Sequence, residues 1–451
     1  MSNRSSNQGQ RGQSVYIIIA LWIVLVIAGV FFTWYGWFAP APAEPEPHLV
    51  PTFTPTPILT QQGQAAPVEE TPTQSEQPET DATVLPTVPP ASEPFGYGIA
   101  THGIIGDPNY TMGQVDSLGL GWVKQQIRWE DVERNPGEYT WGPYDGVVEA
   151  AHEKGLRVML SVVNSPKWKR SYIDSNPEAA PPDNLAEYAD FVGQIVERYQ
   201  GRIHAIEVWN EQNLDREWDT AEGVDAEQYV EMLRMAYQAI KSRDPNIIVI
   251  SGALSPVGVT CNEPYPECPP EGRPIIVDDF EYLDRMVDAG FLQYCDCVGA
   301  HHNGINMPPN VEWDEGYDDP TAEYRGPFDN PDHSWSFKST LWGYHDRIAA
   351  AGSDKKLCVT EFGWATAEGF GDYPPGFEFA LDNTLKEQAE WDVQAFQLMR
   401  QWGFVRLAFL WNLDFANKHQ DPRDPNTPYS LLTFEGVARP AFGAIGAMEK
   451  P

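Results

Sequence analysis

The chain has 451 residues, a formal net charge of −35, and 42% apolar and 12% aromatic residues, with sixteen Trp among them. That is ample material for a large core, and the acidic field excludes nucleic acid and other polyanions as natural partners. The five cysteines show no zinc-like spacing, and the sequence calls for no metal or cofactor.

The N-terminus comes first. Residues 1–14 carry Arg4 and Arg11 as a short cytoplasmic tail. Val15–Phe38, "VYIIIALWIVLVIAGVFFTWYGWF", has no charged residue and is long enough to cross a bilayer core of about 30 Å. Trp34, Tyr35 and Trp37 crowd its far end like an interfacial belt. Cations lie only before it, so the positive-inside rule keeps the N-terminus in the cytoplasm and exports the rest. A cleaved signal peptide has a shorter apolar core, so a retained single-pass anchor in the cell membrane is expected. Residues 39–94 are rich in Pro, Thr, Gln, Glu and Ala and contain no Lys or Arg. They read as a disordered spacer before a domain spanning 95–451.

From Phe95 onward, eight short apolar runs alternate with amphipathic stretches. The runs are Phe95–Thr101, Trp122–Ile127, Leu156–Val163, Ile203–Trp209, Ile247–Gly252, Cys297–Ala300, Lys356–Thr360 and Val405–Trp411. Between them, 183–201 and 225–245 read as helices, the first opening on an Asp cap and closing on Gly, the second stopping at Asp244-Pro245. Eight β-α repeats predict an α/β fold, a closed (β/α)8 TIM barrel. "GYGIATHG" after the first run is a poor match to a dinucleotide loop, with no helix directly behind it.

In such a barrel the functional groups stand at the C-terminal ends of the strands. Those positions hold His102; Lys124 and Arg128, on one face with Gln126; Asn164 and Trp168; Asn210 and Glu211; His301, with His302 and Asn303; Glu361 and Trp364; and Trp411, with Asn412 and Asp414. Cys261 and Cys268 flank the Pro-rich loop "CNEPYPEC" and are expected to form a disulfide outside the cell. Cys295, Cys297 and Cys358 lie in apolar runs and read as buried free thiols. The acidic loops 313–320 and 420–428 lack calcium-loop spacing and read as solvated surface.

Glu211 and Glu361 occupy corresponding places after the fourth and seventh runs. Paired carboxyls at a partly desolvated rim suit glycoside hydrolysis, which needs a proton donor and a base or nucleophile. Desolvation would raise one pKa so that it acts as the acid. Asn210 can donate to a sugar hydroxyl, and Trp side chains can floor a sugar ring.

"IEVWNEQN" and "VTEFGW" resemble the two catalytic-glutamate signatures of the clan A retaining glycoside hydrolases, and residues 121–168 are similar to the strand-two to strand-three region of family 39-like and family 5-like members. The resemblance implies a (β/α)8 barrel in which Glu211 is the general acid/base and Glu361 the nucleophile. It further implies that Asn210 binds the 2-hydroxyl, that His301 is the strand-six histidine, and that Trp411 lies under the reacting sugar. Two departures stand out. Lys124 occupies the strand-two place usually held by Arg, with Arg128 further on, and His302-Asn303 replace an aromatic after the strand-six histidine.

The expected protein is thus a membrane-tethered, monomeric retaining β-glycosidase acting outside the cell on a poly- or oligosaccharide. A non-catalytic glycan-binding barrel and a transglycosylase using the same residues are the alternatives.

Overall fold

The computed structural model of the protein describes residues 94–172 and 179–451. The tail, the 15–38 segment and the spacer up to residue 93 lie outside the described residues. Among the described residues no helix is long and apolar enough to cross a membrane.

Each of the eight apolar runs forms a strand: β1 (Gly96–Ala100), β2 (Trp122–Arg128), β3 (Arg157–Val163), β4 (Ala205–Val208), β5 (Ile248–Ser251), β6 (Val298–Gly304), β7 (Leu357–Trp364) and β8 (Val405–Leu410). All neighbouring pairs are parallel, in the order β5-β4-β3-β2-β1-β8-β7-β6. Parallel bridges Ile250↔Cys297 and Leu254↔Ala300 join the two remaining edges and close the barrel. Closure there is tight. A Cβ at Gly299 would stand 2.0 Å from the Ser251 carbonyl oxygen, so only glycine lets β6 approach β5.

One longer helix follows each strand: α1 (Pro108–Ser117), α2 (Gly142–Glu153), α3 (Leu185–Arg198), α4 (Ala226–Arg243), α5 (Asp279–Asp288), α6 (Phe337–Ala350), α7 (Leu385–Trp402) and α8 (Pro440–Ala447). Helix and strand cover each other's apolar faces, which is why the parallel strands read as unbroken greasy runs. Polar caps set the helix starts. Asp225 accepts from the Gln228 amide at 2.8 Å, and Thr384 and Glu387 form a reciprocal capping box on α7. At α3 the cap is Asn184 rather than the expected Asp183, which instead accepts from the Ser171 amide.

The barrel interior is layered. Its lower end is filled by Trp122, Met159, Ala205, Ile250, Leu407 and Phe409, with Cys297 and Cys358 among them. Two residues further along β2 and β4 the inward side chain becomes charged, Trp122 giving way to Lys124 and Ala205 to Glu207, and on β3 and β7 it becomes a hydroxyl, Ser161 and Thr360. The apolar plug thus leaves the opposite end for chemistry.

The Cys261–Cys268 disulfide closes its loop. Cys297 and Cys358, expected as free thiols, are also disulfide-bonded, which leaves only Cys295 free among the described residues. They stand 61 positions apart in the chain but at the starts of neighbouring strands, where β6 and β7 bring Gly299 opposite Cys358.

Candidate active site

The site is built at the strand ends. Beyond β4 the backbone leaves its extended path: Trp209 has φ 78° and Glu211 φ 44°, both left-handed, as is Asn164 just beyond β3 at φ 64°. Such conformations cost a non-glycine residue about 1–2 kcal/mol each and cluster where geometry serves function. Here they fold Asn210 and Glu211 over the barrel mouth. On the far side, the β6–β7 ladder slips register between Ala300 and His301, after which His301 pairs directly with Glu361. A slip of this kind re-aims side chains.

These backbone devices bring five charged or titratable groups together. Lys124 Nζ lies 2.9 Å from Glu361 Oε1 and 3.2 Å from Glu207 Oε2, and also donates to the Thr360 carbonyl at 3.3 Å. The Thr360 hydroxyl donates to Glu207 Oε1 at 2.5 Å. His301 Nδ1 is 3.2 Å from Glu211 Oε1, and its Nε2 is 3.9 Å from Glu361 Oε1. One imidazole therefore lies between the two strand-end carboxyls. Burial alone would make Lys124 and His301 less basic. The neighbouring carboxylates, Glu207 and Glu361 for Lys124 and Glu361 and Glu211 for His301, outweigh it and raise both pKa values.

Glu211 departs from expectation. Burial pushes its carboxyl up, but the Arg216 guanidinium, 2.5 Å from Oε2, and the His301 contact win and hold it down to about 2. The raised carboxyl is the nearby Glu217. It is set deep among the protein atoms of the cleft though partly open to its surface. Burial and then the Glu211 charge push it up to about 8.

A cleft of about 470 Å³ opens over these groups, a size within the usual range for small-molecule sites. Its polar wall includes Gln126, Asn210, Glu211, Arg216, Glu217 and Asn303; its apolar wall includes Phe377, Phe379, Trp411 and Tyr429, with Glu361 at the base of the same lining. The buried oxygens Asn210 Oδ1 and Asn303 Oδ1 have no hydrogen-bond partner, so the cleft presents unsatisfied acceptors of the kind sugar hydroxyls meet. Trp411 donates from Nε1 to Asn426 Oδ1 and has the edge of His102 against its ring at 5.6 Å.

Of the residues singled out in the sequence, Asn210, Glu211, Glu361 and Trp411 line the cleft, and Lys124 and His301 bind its carboxyls. His102 stands behind Trp411, its amide donating to Asp414. Four others are not brought in. Arg128 is half exposed and paired with Glu130, so of the two β2 cations it is Lys124 that contacts Glu361. Asn164 donates to Glu130 at 2.7 Å. Trp168 lies 40% exposed outside the cleft. Trp364 is a core residue, 1% exposed, donating to the Met307 carbonyl and packed on Phe337. It follows Glu361 in sequence, but alternation along the strand does not keep it on the lining.

Glu207, Arg216 and Glu217 were missed. Glu207 had a signal: a carboxylate amid Ile206 and Val208 is buried inside the barrel and must find a cation. Arg216 and Glu217 had none, because they stand in the loop after β4.

One cluster among the described residues, Asp278, Asp279 and His333, has the spacing to hold a metal. Its oxygens are already engaged: Asp279 accepts from the Tyr344 hydroxyl, the Val257 amide and His333, and Asp278 caps α5. A larger groove, of about 850 Å³, runs along α2 and α3. It is lined by the ion pairs of Asp145 with Arg198 and Glu149 with Arg202 and holds no strand-end residue.

Residues 93–282 match the family model Cellulase (glycosyl hydrolase family 5). Among solved structures, the chain is similar to a family 39 glycoside hydrolase from Bacteroides cellulosilyticus, with TM-score 0.55 and 17% identity, covering 79% of this chain and 64% of that one. A family 39 enzyme from Xanthomonas axonopodis pv. citri gives TM-score 0.53 and 16% identity, over 79% and 66% of the two chains. A family 39 β-xylosidase from Caulobacter crescentus gives 0.50 and 18%, over 79% and 71%. At these identities the likeness is one of fold, and the chain spans less than two thirds of the length of the first two. No curated protein matches the sequence.

Proposed function

We propose that this glycoside-hydrolase barrel is a retaining β-glycosidase of extracellular poly- or oligosaccharides. The observation that carries the reading is the single imidazole of His301 between Glu211 and Glu361, two carboxyls 150 positions apart that line one cleft. Two carboxyls converging on one cleft suit a proton donor and a nucleophile serving one anomeric carbon, and the likeness of their flanking motifs to those of retaining enzymes favours double displacement.

In this mechanism Glu361 attacks the anomeric carbon as Glu211 protonates the departing oxygen. Glu361 becomes a neutral ester and loses its charge. Lys124 would then be a buried unpaired cation, were Glu207 not 3.2 Å away to keep it neutralised. Glu211 next takes a proton from water, which releases the sugar with its configuration retained. Asn210 meets a hydroxyl beside the reacting carbon, and Trp411 floors the ring.

The 15–38 segment anchors the enzyme with its barrel outside the cell; the two disulfides support an oxidising compartment. The decisive experiment assays purified protein on a panel of glycans. Glu361→Gln should lose turnover. Glu211→Ala should fall by about 10²–10⁴-fold and recover with azide, yielding a glycosyl azide of retained configuration. Hydrolysis unchanged in Glu361→Gln overturns the reading. Product analysis separates hydrolysis from sugar transfer.

A further inference from the structure

Both oxygens of the Glu211 carboxyl are occupied. Oε2 meets Arg216 Nη2 at 2.5 Å and Oε1 meets His301 Nδ1 at 3.2 Å. Both contacts favour the ionised carboxylate, so Glu211 held this way does not carry the proton it must donate. The Arg216 side chain is 56% exposed and the Glu211 side chain 11% exposed, so the guanidinium is the partner that faces solvent and can swing. The next residue, Glu217, lines the same cleft, and its backbone carbonyl accepts a hydrogen bond from Trp209 Nε1. A second carboxyl thus stands beside the guanidinium that disables the first.

We propose that Arg216 is a latch on Glu211 and that Glu217 is its alternative partner and proton reserve. This rests on the reading of Glu211 as the acid/base. When a leaving-group sugar enters the cleft, it displaces the guanidinium from Glu211. Arg216 moves to Glu217, which ionises, and the proton it gives up passes to Glu211. The exchange balances. One O–H bond breaks at Glu217 and one forms at Glu211, while the cation moves the opposite way, with no net exchange with solvent. The acid is armed only with substrate in place. Glu217 is a positioning residue, acting through Glu211.

The groups facing this pair fix the sign of its pH dependence. Glu211 faces Arg216 on its own loop and His301 from β6; Glu217 faces Glu211, Arg216, Arg128 from β2 and Glu361 from β7. In the free enzyme the pair's proton resides on Glu217, which burial and the Glu211 charge push up to about 8, while Arg216 and His301 hold Glu211 down to about 2. The alkaline limb of kcat/KM reports the free enzyme, and the pair titrates as a unit.

The test measures that limb on two β-glycosides of the sugar found in the glycan panel, one with an alkyl and one with a dinitrophenyl leaving group. Glu217→Gln should move the alkaline limb down by at least about one pH unit. Near neutrality it should lower kcat/KM on the alkyl glycoside about tenfold more than on the dinitrophenyl glycoside, which needs little proton donation. Arg216→Met should move the limb up, not down. The double variant should recover most of the loss, because without the latch Glu211 keeps its own proton. A limb unmoved in Glu217→Gln, or a double variant no better than the single, overturns the proposal. Should Glu217→Gln fail to fold, a limb that falls in Arg216→Met overturns it alone. Azide rescue of Glu211→Ala reports on the underlying reading independently.

Discussion

Lys124 shows how a single side chain ties the fold to the chemistry. It is 1% exposed, with Glu207 and Glu361 as its two counter-charges. Lys124→Met should destabilise the barrel by about 3–5 kcal/mol, because it takes the nearest cation from the fully buried Glu207 and leaves only the His301 imidazole at 4.0 Å. Denaturant unfolding checks this, and the double variant Lys124→Met/Glu207→Gln should lie closer to wild type than Lys124→Met alone. If the two losses simply add, the pair is not the unit described. The sequence marked Lys124 through its departure from the arginine of similar enzymes, but which cation meets Glu361 depended on reach. Arg128 lies four residues further along β2, past the mouth of the barrel, and finds Glu130 instead.

At the scale of elements, the strands and the helices that cover them were plain in the sequence, because parallel strands buried on both faces leave unbroken apolar runs. The loops were not. Arg216 and Glu217 enter the cleft only because Trp209 and Glu211 adopt left-handed backbone that no local pattern announces. The Cys297–Cys358 disulfide is another case, since each cysteine alone reads as a small core residue. Closing a loop of 61 residues should stabilise the fold by about 4 kcal/mol through the lost entropy of the unfolded chain. Cys297→Ala/Cys358→Ala should therefore lower the unfolding midpoint while leaving kcat/KM on soluble glycosides near wild type, since the pair lies among the apolar side chains of the lower barrel. A large change in KM would place it nearer the chemistry than the structure does.

For the whole molecule, the charge is lopsided: residues 1–43 contribute +2 and the remainder −37. That field disfavours anionic polymers. A protein beginning at Phe95 should retain the full chain's kcat/KM on soluble oligosaccharides, while only the full chain should sediment with membranes. Equal partitioning of the two forms would remove the anchor.

The sequence by itself determined the architecture, the barrel end that carries polar groups, and the two glutamates in it. Those follow from hydrophobic periodicity and from strand ends, both local in the chain. The tertiary structure decided which cation meets Glu361, that Trp364 packs in the core, that two distant cysteines join, and that Glu217 rather than Glu211 is the raised carboxyl. Each of these turns on a distance between segments far apart in sequence or on the path of a loop. Electrostatic pairing and desolvation depend on such distances and not on the order of residues.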